Sequence, residues 1–348
     1  MTLKHEGPRT PVMADVAALA GVSHQTVSRV VNGLPHVGEA TRDRVLAAIK
    51  ELDYRPNTAA RTLVTRRSSI IGIISTETGL YGPNSIHRTV EEAAREAGYF
   101  AGSVGLKTIT ADGLQDAIEH LRRQSVEGIV MIAAQHEALD LIRRQDPGVP
   151  LVVVEGDLTR AKFAVGVDQH LGASEATRHL VDLGHTRIAH VSGPRGWTEA
   201  EARAQGWRDV LVAAGLEPGP CLEGDWTAEC GYALGLELAT QHEIDAIFVA
   251  NDQMAIGVLR ALHESGRSVP ADVSVVGFDD SPEAGYLIPP LTTVRQDFPA
   301  VGRRAIAVLH AAIVGEDENL DRLVAPHLVV RSSTAPRGLV GGAEGAER

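Results

Sequence analysis

The chain has 348 residues, of which 44% are hydrophobic and 22% charged, a balance typical of a folded protein with two or three domains. No apolar run approaches the ~18 residues of a membrane span, and residues 1–11 lack the apolar core of a signal peptide, so we expect a cytoplasmic protein without a membrane partner. The net charge of -12 is unevenly divided. Residues 1–67 carry ten Lys and Arg against six Asp and Glu, and the remainder carries 23 against 39. The basic end is therefore the candidate for contact with a polyanion such as DNA.

The N-terminal segment has the pattern of a helix-turn-helix. Met13–Ala20 predicts a short helix, Gly21 interrupts it, and Ser23 is suited to cap a second helix that runs to Asn32. A third helix is predicted over Glu39–Leu52, with apolar residues on one face. Together the three helices would close a small core.

The second predicted helix has one polar face, because its three valines recur at the spacing that turns them inward. On the polar face Gln25 can pair with adenine and Arg29 with guanine, and His24 can reach a base edge. Three further residues suit phosphate contacts that position the module without reading sequence: Thr26, Ser28 and Asn32. The alternative is a three-helix module with an ordinary polar surface.

After the three predicted helices, Asn57–Val64 allows two helical turns with Asn57 as N-cap. A segment of this length is too short to hold a helix alone in water. From Ile70, short β-branched runs alternate with amphipathic helices, and a second such series follows residues 165–167. This alternation predicts two α/β lobes with parallel sheets. Residues 337–348, rich in Gly, Ala and Glu, are expected to be a disordered tail.

Polar side chains follow several predicted strands: Glu155, Asn251, Asp252, Asp279 and Asp280. Doubly wound sheets bind ligands at the carboxyl ends of their strands, which predicts a small-molecule site between the lobes. Acceptor groups with few cations suit the hydroxyls of a neutral polyol. Trp226 offers an aromatic face for the C–H surface of a sugar ring.

Six segments, in order along nearly the whole chain, share one family pattern: residues 15–32, Leu183-Gly184-His185, residues 249–255, residues 275–280, residues 289–293 and Gln296-Asp297-Phe298. In these segments the chain resembles the lactose repressor (LacI/GalR) family of transcriptional regulators. The resemblance implies an all-α helix-turn-helix headpiece, followed by an α/β core of two doubly wound parallel-sheet lobes like that of periplasmic binding proteins.

We expect these divisions along the chain: a headpiece over 1–67 with its folded module at 10–56 and a hinge helix at 57–64, a core over 68–336, an N-lobe at about 68–165 and 297–324, and a C-lobe at about 166–296 and 325–336. The resemblance implies that paired hinge helices form on DNA, with Asn57 in the hinge and Leu63 pressed into the minor groove, where an apolar wedge unstacks a base step. A plain linker is the alternative.

The resemblance also implies effector contacts at eight residues in addition to Glu155: Pro83, Ile86, Arg203, Trp226, Asn251, Asp279, Gln296 and Phe298. Three positions differ from the family's namesake, which has aspartate, asparagine and serine where this chain has Glu155, Ile132 and Glu199. A longer carboxylate, a lost amide and an added acid all reshape a pocket. The expected effector is a galactoside-like or related mono- or disaccharide.

The predicted function is a sequence-specific repressor that binds operator DNA as a homodimer and is released by a sugar. Corepression uses the same parts with the opposite sign and stays open, as does a purine or sugar-phosphate effector. A sugar-binding protein without a DNA role is a remoter alternative. The sequence holds no nucleophile elbow, phosphate loop or metal cluster, and Cys221 and Cys230 lack zinc-site spacing, so we expect no enzyme, no cofactor and no metal.

Overall fold

A computed structural model describes the chain over residues 11–31, 34–55, 67–76, 79–155, 163–316 and 322–337. The chain divides into two compact units, residues 1–68 and residues 69–348. Among the described residues, no helix is long and apolar enough to cross a membrane.

The first unit contains three helices: α1 (Met13–Ala20), α2 (His24–Val31) and α3 (Glu39–Glu51). Gly21 ends α1 in the left-handed conformation, with φ of 63°, which glycine adopts without steric cost. One valine from each helix is fully buried in the shared core: Val16, Val27 and Val45. A turn of three residues and this small core together set the angle between α1 and α2.

The second unit is built on two parallel sheets, each belonging to one lobe. The six-stranded sheet of the N-lobe has the spatial order β11-β5-β4-β3-β1-β2. Its strands are β1 (Ile70–Thr76), β2 (Phe100–Leu106), β3 (Gly128–Ile132), β4 (Leu151–Val154), β5 (Ala164–Val167) and β11 (Leu323–Val324). The central strands are apolar runs buried on both faces, as expected where helices cover a parallel sheet on both sides.

Helices cover both faces of this N-lobe sheet. One face packs against α4 (Tyr81–Glu96) and α11 (Phe298–Val314), and the other against α5 (Ala111–Arg123) and α6 (His136–Arg144). Since α11 follows the C-lobe strands in sequence, the N-lobe core is completed by a helix from far along the chain.

The C-lobe sheet has the order β7-β6-β8-β9, with strands β6 (Ile188–Ser192), β7 (Cys221–Glu223), β8 (Ala246–Val249) and β9 (Ser274–Val276). Its faces are covered by α7 (Gln169–Asp182) and α8 (Thr198–Ala213) on one side and by α9 (Ala228–Ala239) and α10 (Asp252–Glu264) on the other. A 3-10 turn (Ala284–Tyr286) precedes an antiparallel pair, β10 (Thr293–Arg295) with β12 (His327–Val329).

The predicted fold class, a helical headpiece with a two-lobed parallel α/β core, is confirmed. Several helices begin earlier than the sequence predicts; among them, α7 begins at Gln169, whereas the predicted start is Gly172, and α4 begins at Tyr81, whereas the predicted start is Ile86. Pro83 reads as a helix breaker in sequence, yet it lies in the first turn, where its missing N–H has no intrahelical partner anyway. The short strands β7 and β10 to β12, and helix α11, were not predicted.

Candidate functional site

The polar face of α2 is held in place by a capped helix start. The Ser23 hydroxyl accepts a hydrogen bond from the Thr26 backbone N–H at 3.1 Å and lies 2.9 Å from the Thr26 hydroxyl. This is the N-cap geometry predicted from the sequence, and it satisfies one of the N–H groups that a helix start leaves open. The Thr26 side chain, predicted to contact phosphate, already has a partner within the headpiece.

We call the exposed side chains of α2 the recognition face: His24, Gln25 and Arg29. Gln25 and Arg29 are four residues apart and so lie on the same side of the helix. Ser28 and Thr26 are half-buried beside them. Three predicted DNA contacts, Asn32, Asn57 and Leu63, lie outside the described residues, as does the predicted hinge helix.

In the second unit, a cavity lies between the lobes, where the carboxyl ends of strands meet. It encloses about 630 Å³, part of it open to solvent, within the range of roughly 300–1,000 Å³ of small-molecule sites. All nine residues predicted for the effector line this interlobe pocket: Pro83, Ile86, Glu155, Arg203, Trp226, Asn251, Asp279, Gln296 and Phe298. The structure brings them together; their part in binding stays a prediction.

Four polar side chains form a ring in the wall of the interlobe pocket. Arg203 Nε donates to Gln169 Oε1 at 2.9 Å, and Gln169 Nε2 donates to Gln296 Oε1 at 2.9 Å. Gln296 Nε2 in turn donates to Asp279 Oδ1 at 2.6 Å, and that oxygen lies 3.9 Å from Arg203 Nη2. We call this set the polar ring; each member fixes the next, so the pocket is pre-formed.

Arg203 is 5% exposed and is further fixed from two sides. Its Nη1 donates to the Ala250 carbonyl at 2.5 Å, and its guanidinium carbon lies 3.9 Å from the centre of the Phe278 ring. Stacking of this kind suits a planar, weakly hydrated cation. The arrangement leaves a single orientation for the one cation in the described wall of the pocket.

Acidic side chains surround that cation. Glu155 Oε1 accepts from the Val167 N–H at 3.2 Å, and Glu155 Oε2 accepts from Gln169 Nε2 at 3.0 Å. Burial raises the pKa of Glu155 to about 7 and that of Asp279 to about 6, although the charge of Arg203 opposes both shifts. The wall is thus rich in acceptors, and burial raises the pKa of two of its acids above the usual range.

An aromatic surface forms another part of the wall. Trp226 is 6% exposed and meets Trp197 edge to face, with ring centres 5.7 Å apart. A Cβ atom at Gly193 would lie 2.1 Å from the Trp226 ring, so only glycine allows the ring to lie there. The Asn251 side chain caps α10 through Met254 N at 2.9 Å and donates to the Trp226 carbonyl at 3.1 Å. Asn251 therefore shapes the pocket as well as lining it.

The N-lobe side of the pocket is mainly apolar, with Pro83, Ile86, Ile132 and Phe298 in its wall. The pocket therefore joins a polar C-lobe wall to an apolar N-lobe wall, which suits a ligand with one hydroxylated edge and one C–H face.

Three pocket residues that follow strands or loops have left-handed backbone: Glu155 with φ of 65°, Trp226 with 74° and Asp279 with 112°. Non-glycine residues seldom adopt such values, and they cost of order 1–3 kcal/mol each. Strain of this kind persists where the surrounding structure holds a side chain in one direction. Here all three side chains are turned into one cavity.

Two family models match this chain, one over the headpiece and one over the core. Residues 12–57 match the family described as bacterial regulatory proteins, lacI family, and residues 177–334 match a periplasmic binding protein-like domain. The HTH-type transcriptional regulator CelR of Thermobifida fusca is 38% identical, over 94% of this chain and 99% of its own length. The lactose operon repressor of Escherichia coli K12 is 34% identical, over 92% of this chain and 89% of its own length.

The chain belongs to the lacI family. It is a DNA-binding transcriptional regulator and not an enzyme, like these relatives. Two solved structures share the architecture: the lac repressor dimer bound to operator and the anti-inducer ONPF, with a TM-score of 0.82, 33% identity and coverage of 94% of this chain and 100% of that one, and the CelR–cellobiose complex, with 0.69, 34%, 93% and 99%.

Two strand-end acids of this lacI-family core do not face the interlobe pocket. Asp252 accepts from the Thr293 hydroxyl at 2.6 Å and from the Ser281 N–H at 2.7 Å. Asp280 pairs with Arg295 at 2.5 Å and Arg331 at 2.6 Å. Both carboxylates tie β10 and its neighbouring loops to the C-lobe, and their sequence positions alone do not show it.

Members of the wall that were not predicted include Tyr81, Gln135, Gln169 and Trp197, whereas Ile132 and Glu199, which were expected to reshape the pocket, both line it. Gln169 begins α7 two residues after β5 ends; the sequence predicted that this helix starts at Gly172. Cys221 and Cys230 are free thiols. No group of side chains in the described ranges could hold a metal ion.

Proposed function

We propose that this chain represses transcription as a homodimer bound to an operator, and that a small neutral sugar is its effector, bound in the interlobe pocket. A galactoside or a related mono- or disaccharide fits best, and release from the operator is the proposed response. A dimer sets two recognition faces at the half-site spacing of a pseudo-palindromic operator. Action on operator DNA implies a cytoplasmic location.

The observation that carries the sugar assignment is the polar ring beside an apolar wall. Arg203, Asp279 and the two glutamines offer donors and acceptors in fixed directions, as hydroxyl groups require. Trp226 and Phe298 offer surfaces for the C–H face of a ring. The CelR–cellobiose complex shows a sugar in a relative with the same architecture.

A purine or sugar phosphate is the alternative effector, and a relative named as the transcriptional repressor PurR of Haemophilus influenzae is 33% identical. The charges disfavour a phosphate. Arg203 is the one cation in the described wall of the pocket, and Glu155, Glu199 and Asp279 share the wall with it. A phosphate dianion would be repelled by these acids and would have only one cation nearby to offset that repulsion.

Contacts between the lobes give the effector a means to act at a distance. The Thr198 hydroxyl in the C-lobe donates to the carbonyls of Ala134 and Glu155 in the N-lobe, both at 2.9 Å. His136 Nε2 lies 2.9 Å from Glu201 Oε2 across the same boundary. A sugar that favours one angle between the lobes changes operator affinity by the ratio of its own affinities for the two states.

The test is a binding screen followed by operator titration. Cellobiose, lactose, maltose, adenine and glucose 6-phosphate are offered to the full chain in thermal-shift and calorimetric assays. Binding to duplexes selected from a random library is then measured with and without each hit. We expect a neutral sugar to bind and to weaken binding of the chain to the selected duplexes. Maltose serves as the control for cellobiose, from which it differs in the glycosidic linkage. A hit restricted to adenine or the phosphate, or a sugar that leaves operator affinity unchanged, contradicts the proposal.

A further inference from the structure

Glu199 is a buried acid of the interlobe pocket with one oxygen that has no partner among the described residues. It occupies the first turn of α8, is 9% exposed and lines the cavity. Within the described residues its Oε2 atom has no hydrogen-bond partner. A buried polar atom without a partner costs about 1–3 kcal/mol, so such atoms in a pocket mark places where a ligand completes the bonding.

The state of Glu199 is set by the charged groups that face it. Glu155 after β4, Arg203 on α8 and Asp279 after β9 act on it directly. The groove that adjoins Glu199 on its other side carries more charged groups: His136, Asp168, His170 and Glu201. Three acids thus share one nearby buried cation, and they cannot all be ionised at low cost.

Among Glu155, Asp279 and Glu199, the hydrogen bonds favour Glu199 as the acid that carries a proton. Both oxygens of Glu155 accept hydrogen bonds from N–H donors, and Asp279 accepts one from Gln296, which stabilises their ionised forms. Glu199 Oε2 has no such donor, and the hydrogen bond that favours the ionised form of Glu199 comes from its own backbone N–H. Burial first, and the charge of Glu155 second, raise the pKa of Glu199 to about 8.

We propose that Glu199 acts in the interlobe pocket as a neutral carboxylic acid that determines ligand specificity by donating its proton in a hydrogen bond to a ligand oxygen. This inference rests on the proposed sugar effector. A protonated acid presents one donor and one acceptor side by side, whereas a serine at this position presents a shorter hydroxyl. Ligands with a hydroxyl or ring oxygen facing the start of α8 are selected.

The proposed role of Glu199 makes the affinity of the pocket for its ligand depend on pH. The bound ligand favours the protonated acid, so binding raises the pKa of Glu199 further. Affinity is therefore constant below the unliganded pKa and falls above it, with a limiting slope of about tenfold per pH unit until the liganded pKa is reached. Glu155 and Asp279 titrate in the same region, so the difference between wild type and Glu199→Gln isolates this group.

The experiment compares Glu199→Gln, Glu199→Met and the surface control Glu237→Gln on α9 by calorimetry. The full chain is titrated with the tightest-binding sugar of the cellobiose and lactose pair, from about pH 6 to about pH 9.5. Circular dichroism and thermal unfolding confirm that each variant folds. Difference infrared spectra of unliganded wild type and Glu199→Gln report the carbonyl band of a protonated carboxylic acid directly.

We expect Glu199→Gln to keep affinity within about threefold at neutral pH and to lose the alkaline decline, because the amide still donates but does not ionise. Glu199→Met loses about tenfold, and Glu237→Gln matches wild type. If the sugar binds all variants equally with parallel pH profiles, or the infrared band is absent, the role of Glu199 is overturned and the sugar effector stands. If no sugar binds wild type at any pH, both proposals fall together.

Discussion

The recognition face and the interlobe pocket present polar side chains in opposite ways. On α2, His24, Gln25 and Arg29 are exposed above buried valines, and the helix needs none of them to fold. In the core, Arg203 and Asp279 are 5% and 6% exposed and tied to the polar ring. Side chains that meet a large, hydrated polyanion keep their freedom, whereas those that discriminate a small ligand are fixed in advance.

This contrast predicts where substitutions act. Changes on the recognition face alter DNA binding and leave folding unaffected, because no buried contact is lost. Changes in the polar ring alter binding and stability together, because each side chain neutralises or bonds the next. Four substitutions test this division between the recognition face and the polar ring.

Arg203→Met removes the cation from among the buried acids and is expected to destabilise the core by about 3 kcal/mol at neutral pH. Urea unfolding of the second unit measures it. Because the acids then protonate more readily, the loss is smaller at about pH 5.5 than at about pH 8.5. The control Arg260→Met removes an exposed cation from an i,i+4 pair and should leave the midpoint unchanged. An equal loss in both variants would contradict the role given to the polar ring.

Asp279→Asn removes a buried negative charge and replaces one carboxylate oxygen, an acceptor that the proposal assigns to a sugar hydroxyl, with an amide nitrogen that only donates. Effector affinity should fall about 10- to 100-fold, since hydrogen bonds to charged groups contribute about 1.5–3 kcal/mol. Calorimetry with the sugar found in the screen gives the ratio. The surface variant Asp116→Asn on α5 serves as the matched control, and unchanged affinity in Asp279→Asn would remove this residue from the site.

Arg29→Ala should weaken binding to a selected operator by about 1–3 kcal/mol while reducing binding to random duplex far less. Fluorescence anisotropy with both duplexes at one salt concentration supplies the comparison. Arg44→Ala removes the same charge from the exposed side of α3 and should not relax specificity. Equal losses on both duplexes in Arg29→Ala would mean that this residue contacts phosphate only.

Ser23→Ala removes the N-cap of α2 and should lower headpiece stability by about 1 kcal/mol. Ser23→Asp preserves an acceptor for the Thr26 N–H and should retain most of that stability. Amide hydrogen exchange of residues in α2, measured in the full chain, reports the change. The interlobe pocket should bind its effector as before in both variants, because the pocket lies wholly within the second unit.

The difference between the two sites also explains which of their residues could be predicted from the sequence. The recognition face follows from the local spacing of valines and polar residues along one helix, and that spacing is visible in the chain. The pocket needed more: Glu155, Asn251 and Asp279 could be found as strand-end residues. Arg203, Gln296 and Phe298 were found only through the family resemblance, because they lie on different elements far apart in sequence.

Short-range sequence pattern specifies the three-helix headpiece, the alternation of strands and helices, and the polar side of α2, because each depends on residues a few positions apart. Tertiary structure alone decided which strand-end acids face the pocket, since Asp252 and Asp280 are bound by distant residues while Asp279 faces inward. Tertiary structure also raises the pKa of Glu199, because desolvation and neighbouring charge depend on what the folded chain places around a side chain.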